Sequence, residues 1–212
     1  MANKLLVVAG PNGSGKSTLY RKLRQKYKIL SDFLFINPDE IAKELFGNFL
    51  PDGSPDSNRK MIAAGKKAIS RRKKLLSEGK SFGFETTLSG KSEKKLIFEA
   101  IQKGYDLYIV FIALDDPLLN VLRVHSRVQN QGHFVDPVVI VRRYSKSLQN
   151  IRELIPLTKG FYLFDNSGIS FRLVASLRTS GARGVKNVIV RSRSPQWSQK
   201  IVDVMMIEKS KI

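Results

Sequence analysis

The run Gly10-Pro-Asn-Gly-Ser-Gly-Lys16-Ser17 constrains this chain more than any other feature of its sequence. It closes a short apolar stretch from Leu5 to Ala9 and opens a segment in which Leu19, Leu23 and Tyr27 recur at i, i+4 and i+8. A buried strand that passes through a glycine-rich turn into an amphipathic helix aims backbone N–H groups and a positive helix end at one point, which suits a chain of phosphates. The expected cradle comprises Gly10, Pro11, Asn12, Gly13, Ser14, Gly15, Lys16, Ser17 and Thr18. Its glycines let the backbone wrap closely, Lys16 supplies a point charge to the β and γ phosphates, Ser17 is the expected Mg²⁺ ligand, and Thr18 adds a hydroxyl for the α-phosphate. The turn calls for a nucleotide and a metal; it does not name the acceptor of a phosphoryl group.

Further along, apolar runs at Phe33–Ile36, Ser81–Phe84, Leu107–Leu114 and Phe161–Phe164 alternate with helical patterns. That alternation predicts an α/β fold of the P-loop NTPase class, with a central five-stranded, mostly parallel sheet flanked by helices. A helix is expected through Met61, Ile62, Ala68, Ile69, Leu75 and Leu76, stopping at Gly79. After Phe164, Phe171–Ala175 and Val185–Val190 read as a peripheral hairpin before a closing helix. With 212 residues, one domain is expected: a core over 1–170 with a helical lid over about 117–152, and a C-terminal hairpin and helix over 171–212 packed on it. The chain has no cysteine, which excludes disulfides, thiolate zinc sites and a cysteine nucleophile. The apolar start is too short for a secretion signal and no run reaches the ~18 residues of a membrane span, so a cytoplasmic location is expected and no membrane partner.

The balance of 37 Lys and Arg against 18 Asp and Glu gives a formal charge of +19. That favours polyanions and anionic substrates without naming one, and is equally the signature of a solvated basic surface. The segment from Arg59 to Lys80 is strongly basic with Glu78 as its one acid, and reads as a solvated helix face. The stretch from Ser167 to Val202 has no acid at all.

A phosphoryl transferase needs a carboxylate near the attacking hydroxyl, and acids at the carboxyl ends of parallel strands are well placed for it. Asp39 follows one run, but Asn37-Pro38-Asp39-Glu40 also reads as a capped helix start, so base and dipole partner are both open. Glu85 opens Glu85-Thr86-Thr87-Leu88-Ser89-Gly90, an acid and hydroxyls where a strand emerges. Asp115, after the run ending at Leu114, is a candidate second magnesium residue. Between Pro117 and Ile151 the only acid is Asp136, whereas Arg123, Arg127, Arg142, Arg143 and Lys146 lie on two helical stretches. Helices carrying arginines without acid partners fit a lid that neutralises charge on a transferring phosphoryl group. His125 and His133 lack companions at ligand spacing, so no metal site is expected there.

These pieces together resemble the zeta-toxin-like P-loop kinases. The likeness is carried by Ala9 through Ser17, Ile36-Asn-Pro-Asp39, Phe84-Glu-Thr-Thr-Leu-Ser-Gly90, Arg127 through His133, Arg142-Arg-Tyr144 and Asp165-Asn-Ser-Gly168, in the family's order over about residues 5–170. The resemblance implies an ATP-dependent kinase whose acceptor is a hydroxyl of UDP-N-acetylglucosamine. It implies Asp39 as catalytic base, Arg127 and Arg142 or Arg143 as lid arginines, and Glu85 and Thr87 as acceptor-binding residues. Lys16 is expected to join the arginines at the phosphates, and Thr86 and Arg123 are further candidate acceptor-binding residues. The segment Val128-Gln-Asn-Gln-Gly132 departs from the family's usual glycine pair, and the basic tail lies outside its motifs. A polynucleotide-end kinase, or a nucleotide-binding toxin or regulatory module without turnover, are the rival expectations. An antitoxin protein is a candidate partner, and nucleic acid is not favoured.

Overall fold

The computed structural model describes residues 2–27, 30, 33–47, 54–129, 134–180, 184–191 and 194–210. Its first strand, β1 (Lys4–Ala9), is buried on both sides: Leu5, Val7 and Ala9 enter one hydrophobic cluster, Leu6 and Val8 the other. Strands buried on both faces belong to parallel sheets covered by helices. Accordingly β1 pairs in parallel with β3 (Phe82–Thr86) on one side and β4 (Asp106–Ala113) on the other. The short β2 (Leu34–Ile36) extends the sheet beyond β3, and β5 (Gly160–Asp165) extends it beyond β4, both in parallel.

Among the described residues the sheet has seven strands, not five, in the order β2-β3-β1-β4-β5-β6-β7. The five parallel strands are those expected. The difference lies in β6 (Arg172–Ser180), antiparallel to β5, and β7 (Val185–Val190), antiparallel to β6, which continue the same sheet instead of standing apart. Their register explains this: β6 places Val174, Ala175 and Leu177 at full burial, so its hydrogen bonds are made to the core sheet. The last helix, α7 (Gln199–Lys209), buries Ile201, Val202 and Met205 in the same cluster.

Sequence signals set the helix starts. Asn37 accepts the Asp39 N–H at 2.8 Å to cap α2 (Pro38–Phe46), with Pro38 in the first turn. Ser54 caps α3 (Pro55–Ser77), and Asp136 accepts from the N–H groups of Val138 and Val139 to cap α6 (Pro137–Leu154). Helix α3 meets the core through Ala64, Ala68, Arg72 and Leu76, a strict i, i+4 ridge, while Ile62 and Ile69 are exposed. Arg72 is thus in the packed ridge, not on the solvated basic face where the sequence pattern put it. Helices α1 (Lys16–Lys26), α4 (Lys91–Gln102) and α5 (Pro117–Gln129) complete the layers. No helix of the described residues is long and apolar enough to cross a membrane. Because β1 to β5 run in parallel, the loops after Ala9, Ile36, Thr86, Ala113 and Asp165 open on one edge, with the strand order reversing about β1.

Candidate active site

The turn after β1 is shaped by backbone that side chains would obstruct. Gly10 has φ 148°, and a Cβ there would lie 2.0 Å from the Ile112 carbonyl oxygen of the neighbouring strand. Gly15 has φ 94° and would place a Cβ 2.6 Å from Asn166 Nδ2. That amide donates to the Ser14 carbonyl at 2.9 Å, and Asn120 Nδ2 of α5 donates to the Asn12 carbonyl. The loop after β5 and the lid therefore hold the cradle from two sides. Among the described residues the buried Ser14 hydroxyl has no hydrogen-bond partner.

Lys16, 8% exposed, donates from Nζ to the Pro11 carbonyl at 2.9 Å and lies 3.9 Å from Glu85 Oε1. Burial pushes its amine below the ordinary value; Glu85 and Asp39 oppose the shift, and Arg127 and Arg143 add to it. Four candidate residues from four different segments therefore act on one buried ammonium. Ser17 Oγ donates to Glu85 Oε2 at 2.7 Å, and Asn37 Nδ2 donates to the same oxygen at 3.4 Å. The residues present fit Mg²⁺: a hydroxyl and a carboxylate beside a phosphate cradle are the hard oxygens that ion takes, together with substrate phosphates. Among the described residues no group of three or more His, Cys, Asp and Glu stands ready as a metal cage.

A cleft of about 870 Å³ opens over this cluster. Gly13, Gly15, Lys16, Ser17 and Thr18 form its base, with Asp39, Glu85, Arg123 and Arg127 around them. Its lining includes Tyr20 and Phe35, stacked with centroids 3.7 Å apart, together with Arg21, Arg24, Glu40 and Lys43. Asn166, Gly168, Ile169 and Phe171 line it as well, with Lys22 Nζ 5.3 Å from the Phe171 centroid. Seven Lys and Arg line the cleft against three acids.

Not every candidate reaches it. Asp115 is exposed and outside the cleft; its N–H donates to Ser167 Oγ at 2.7 Å, two residues past the end of β4. The structure thus does not bring it to Ser17, and the acid beside Ser17 is Glu85. Arg142 is exposed, whereas Arg143, one residue on, is half-buried and donates from Nη1 to Asn12 Oδ1 at 3.4 Å. Thr86 does not line the cleft: its buried hydroxyl accepts the Leu88 N–H at 2.9 Å. Thr87 shares a hydrogen bond with Ser89 Oγ at 2.9 Å. The turn they form holds Leu88 at φ 54° and presents its carbonyl to Asn150 Nδ2 of α6 at 2.8 Å, tying this turn to the lid. His125 is exposed on α5, and His133 and Gly132 lie outside the described residues.

The family model for zeta toxin matches residues 2–169. The chain belongs to the zeta toxin family. This zeta toxin family member is an ATP-dependent phosphotransferase built on the P-loop kinase fold. An uncharacterized protein of Haemophilus influenzae is 30% identical over 145 residues, 68% of this chain and 94% of that protein. In fold it is similar to the AvrRxo1-ORF1:AvrRxo1-ORF2 complex crystallised with ATP, at 17% identity and TM-score 0.66, covering 96% of this chain and 64% of that one. The chain thus spans about two thirds of that protein's length. It is also similar to the PezAT chromosomal toxin–antitoxin system of Streptococcus pneumoniae, at 17% identity and TM-score 0.58, covering 98% of this chain and 85% of that one. The Pnkp1/Rnl/Hen1 RNA repair complex matches 72% of this chain and 46% of its own at 21% identity and TM-score 0.52.

Sequence reasoning missed several residues of this family member's site. Asn120 and Asn166 are amides holding backbone carbonyls of the cradle, a role with no spacing signature. Asn37 was legible as a cap, but not as a second donor to Glu85. Arg21, Arg24 and Lys43 had no signal beyond the general excess of basic charge, and Phe171 read only as part of the hairpin.

Proposed function

We propose that this chain transfers the γ-phosphoryl group of ATP to a hydroxyl of a nucleotide-sugar-like acceptor, with UDP-N-acetylglucosamine the first candidate. The observation that carries the reading is the convergence of Asp39, Glu85, Arg127 and Arg143 on the buried Lys16 at the floor of one basic cleft. Lys16, Arg127 and Arg143 hold the γ-phosphoryl oxygens. Asp39 takes the proton of the acceptor hydroxyl as that oxygen bonds to the γ-phosphorus, the bond to the β–γ bridging oxygen breaks, and ADP leaves. Ser17 and Glu85 hold the magnesium side of the nucleotide, so Glu85 serves the donor and not only the acceptor. Mg²⁺, when bound, neutralises charge on the β and γ phosphates. The lining at Phe171 and Lys22 takes the nucleobase of the donor, and Arg21, Arg24 and Lys43 take the acceptor, whose own phosphates suit their charge.

Seven basic residues in the cleft also suit a polynucleotide end, so that rival belongs in the same test. Labelled ATP is incubated with the protein and either UDP-sugars or 5′-hydroxyl oligonucleotides, with mass spectrometry reading an added HPO₃. Label on the UDP-sugar supports the proposal; label on the oligonucleotide alone overturns the acceptor class. Asp39→Asn is expected to bind ATP normally and transfer about 10²–10⁴ times more slowly, and unchanged transfer would remove Asp39 as the base. The PezAT likeness supports an antitoxin as the protein partner, checked by whether expression of this chain alone arrests growth.

A further inference from the structure

The longest helix carries a group that neither the cradle nor the lid accounts for. Arg72 of α3 is 4% exposed, in line with Ala64, Ala68 and Leu76. Its guanidinium carbon lies 4.4 Å from the centroid of the Phe84 ring, and Nη2 donates to the backbone carbonyl of Glu85 at 3.3 Å. Among the described residues its buried Nε has no hydrogen-bond partner and no carboxylate forms an ion pair with it. Burial pulls the guanidinium from 12.5 down to about 10, with Glu93 only partly opposing. An isolated buried cation is a standing cost that an apolar residue of the same size would remove. Both of its contacts fall on the two residues of β3 that deliver the Glu85 carboxylate to Ser17 and Lys16. Phe84 is fully buried against α3, while the Glu85 side chain, next along the strand, points from the other face into the cleft.

The geometry points to Arg72 as a positioning residue: it clamps the Phe84–Glu85 backbone from behind so that the Glu85 carboxylate meets Ser17, and through Glu85 it sets how strongly Mg²⁺ contributes to ATP binding. This rests on the reading of Glu85 as a magnesium-side residue. A hydrogen bond from Nη2 and a flat cation over a ring fix a peptide plane more closely than an aliphatic contact can. A carboxylate that accepts from Ser17 and Asn37 while ion-paired with Lys16 tolerates little rotation of that plane.

The test measures the affinity of the full chain for a fluorescent ATP analogue with Mg²⁺ and with EDTA, taking the ratio as the magnesium contribution. Wild type, Glu85→Gln, Arg72→Met, Arg72→Lys and the Glu85→Gln/Arg72→Met double variant are compared. Each of Glu85→Gln and Arg72→Met is expected to lower the ratio about tenfold, as loss of an outer support for a metal site does, with EDTA binding unchanged. The double variant is expected to lose no more than either single one, because both act through one carboxylate. Arg72→Lys, which keeps the charge and loses the fork, falls between. The Arg72→Met protein is expected to melt at or above the wild-type temperature, which a merely structural side chain would not allow. Losses that add in the double variant, a wild-type ratio in Arg72→Met beside a reduced one in Glu85→Gln, or a loss that tracks a lowered melting temperature each overturn the role of Arg72. A wild-type ratio in Glu85→Gln overturns the magnesium-side reading of Glu85, and the inference with it.

Discussion

Gly15→Ala tests whether the cradle depends on the close approach of the loop after β5. At φ 94° an alanine adopts a left-handed backbone at a cost of about 1–2 kcal/mol. Its Cβ would also lie 2.6 Å from Asn166 Nδ2 and 3.2 Å from Phe171 Cε1. The amide must therefore retreat, and the Ser14 carbonyl loses its 2.9 Å hydrogen bond. Leaving that carbonyl unsatisfied costs about 1–3 kcal/mol, so the substitution destabilises the folded chain by about 3 kcal/mol in the middle of the combined range. For a chain of this size 1 kcal/mol moves the thermal midpoint by about 2–4 °C, giving a fall of about 6–12 °C in differential scanning fluorimetry. The displaced Phe171 and Asn166 line the cleft, so ATP should also fail to raise the variant's midpoint as it raises that of the wild type. A midpoint within about 2 °C of wild type, with an unchanged ATP shift, would show that the cradle does not rest on that contact.

Three further outcomes follow from the site. Arg143→Ala should lower phosphoryl transfer on the order of 10²-fold while Arg142→Ala stays within about twofold, because only Arg143 reaches the cradle; equal losses in steady-state rates would refute the distinction. Burial depresses the Lys16 amine below 10.5 in the free chain, and phosphate oxygens favour the ammonium, so ATP binding at about pH 9.5 should take up protons. Calorimetry in buffers of different ionisation enthalpy reads that uptake, and proton release would contradict the sign. At Asp165, burial alone would raise the carboxyl, but hydrogen bonds from Ser167 and Arg172 outweigh it and hold it below 3.8. Its contribution is therefore full above that value and lost as pH falls through the depressed folded value. Asp165→Asn should cost about 1 kcal/mol in urea unfolding at pH 7, with the gap closing in acid, and a gap that widens in acid would be wrong in sign.

Local patterns announced most of the frame, because the cradle, the helix cap at Asn37 and the doubly buried strands depend on neighbours in sequence. What the sequence hid depends on partners far along the chain. The hairpin read as peripheral because nothing in Phe171–Ala175 states which strand it pairs with; its burial against β5 is a tertiary fact. Arg72 read as surface because eight other basic residues surround it between Arg59 and Lys80, and only the i, i+4 relation to Ala64, Ala68 and Leu76 singles it out. That ridge was available in the sequence, since a charged residue in register with small apolar ones is a detectable anomaly. Asn120 and Asn166 had no such mark.

The choice between Asp115 and Glu85 shows why strand order decides chemistry here. Both follow an apolar run, and from spacing alone either suits the magnesium side. Registers separate them. Glu85 pairs with Val8, one residue before the end of β1, so its carboxylate emerges level with the start of the cradle and meets Ser17 at 2.7 Å. On the opposite side of β1, Ala9 pairs with Phe111, which carries Asp115 four residues beyond that level into the link to α5, where its backbone is held by Ser167. A strand that runs on past its neighbour delivers its acid too late to share a metal with Ser17, however apolar the run before it. The sequence prints the run but not the register, and the register follows only once β3 and β4 are known to flank β1. Glu85 also lies beside Lys16 and accepts from Asn37 through its carboxylate, and its backbone carbonyl accepts from Arg72, so this one residue links the cradle, the start of α2 and the Arg72 ridge of α3. Glu85→Gln should therefore weaken magnesium-dependent ATP binding and transfer together, while Asp115→Ala leaves both within about twofold, since it touches none of these groups.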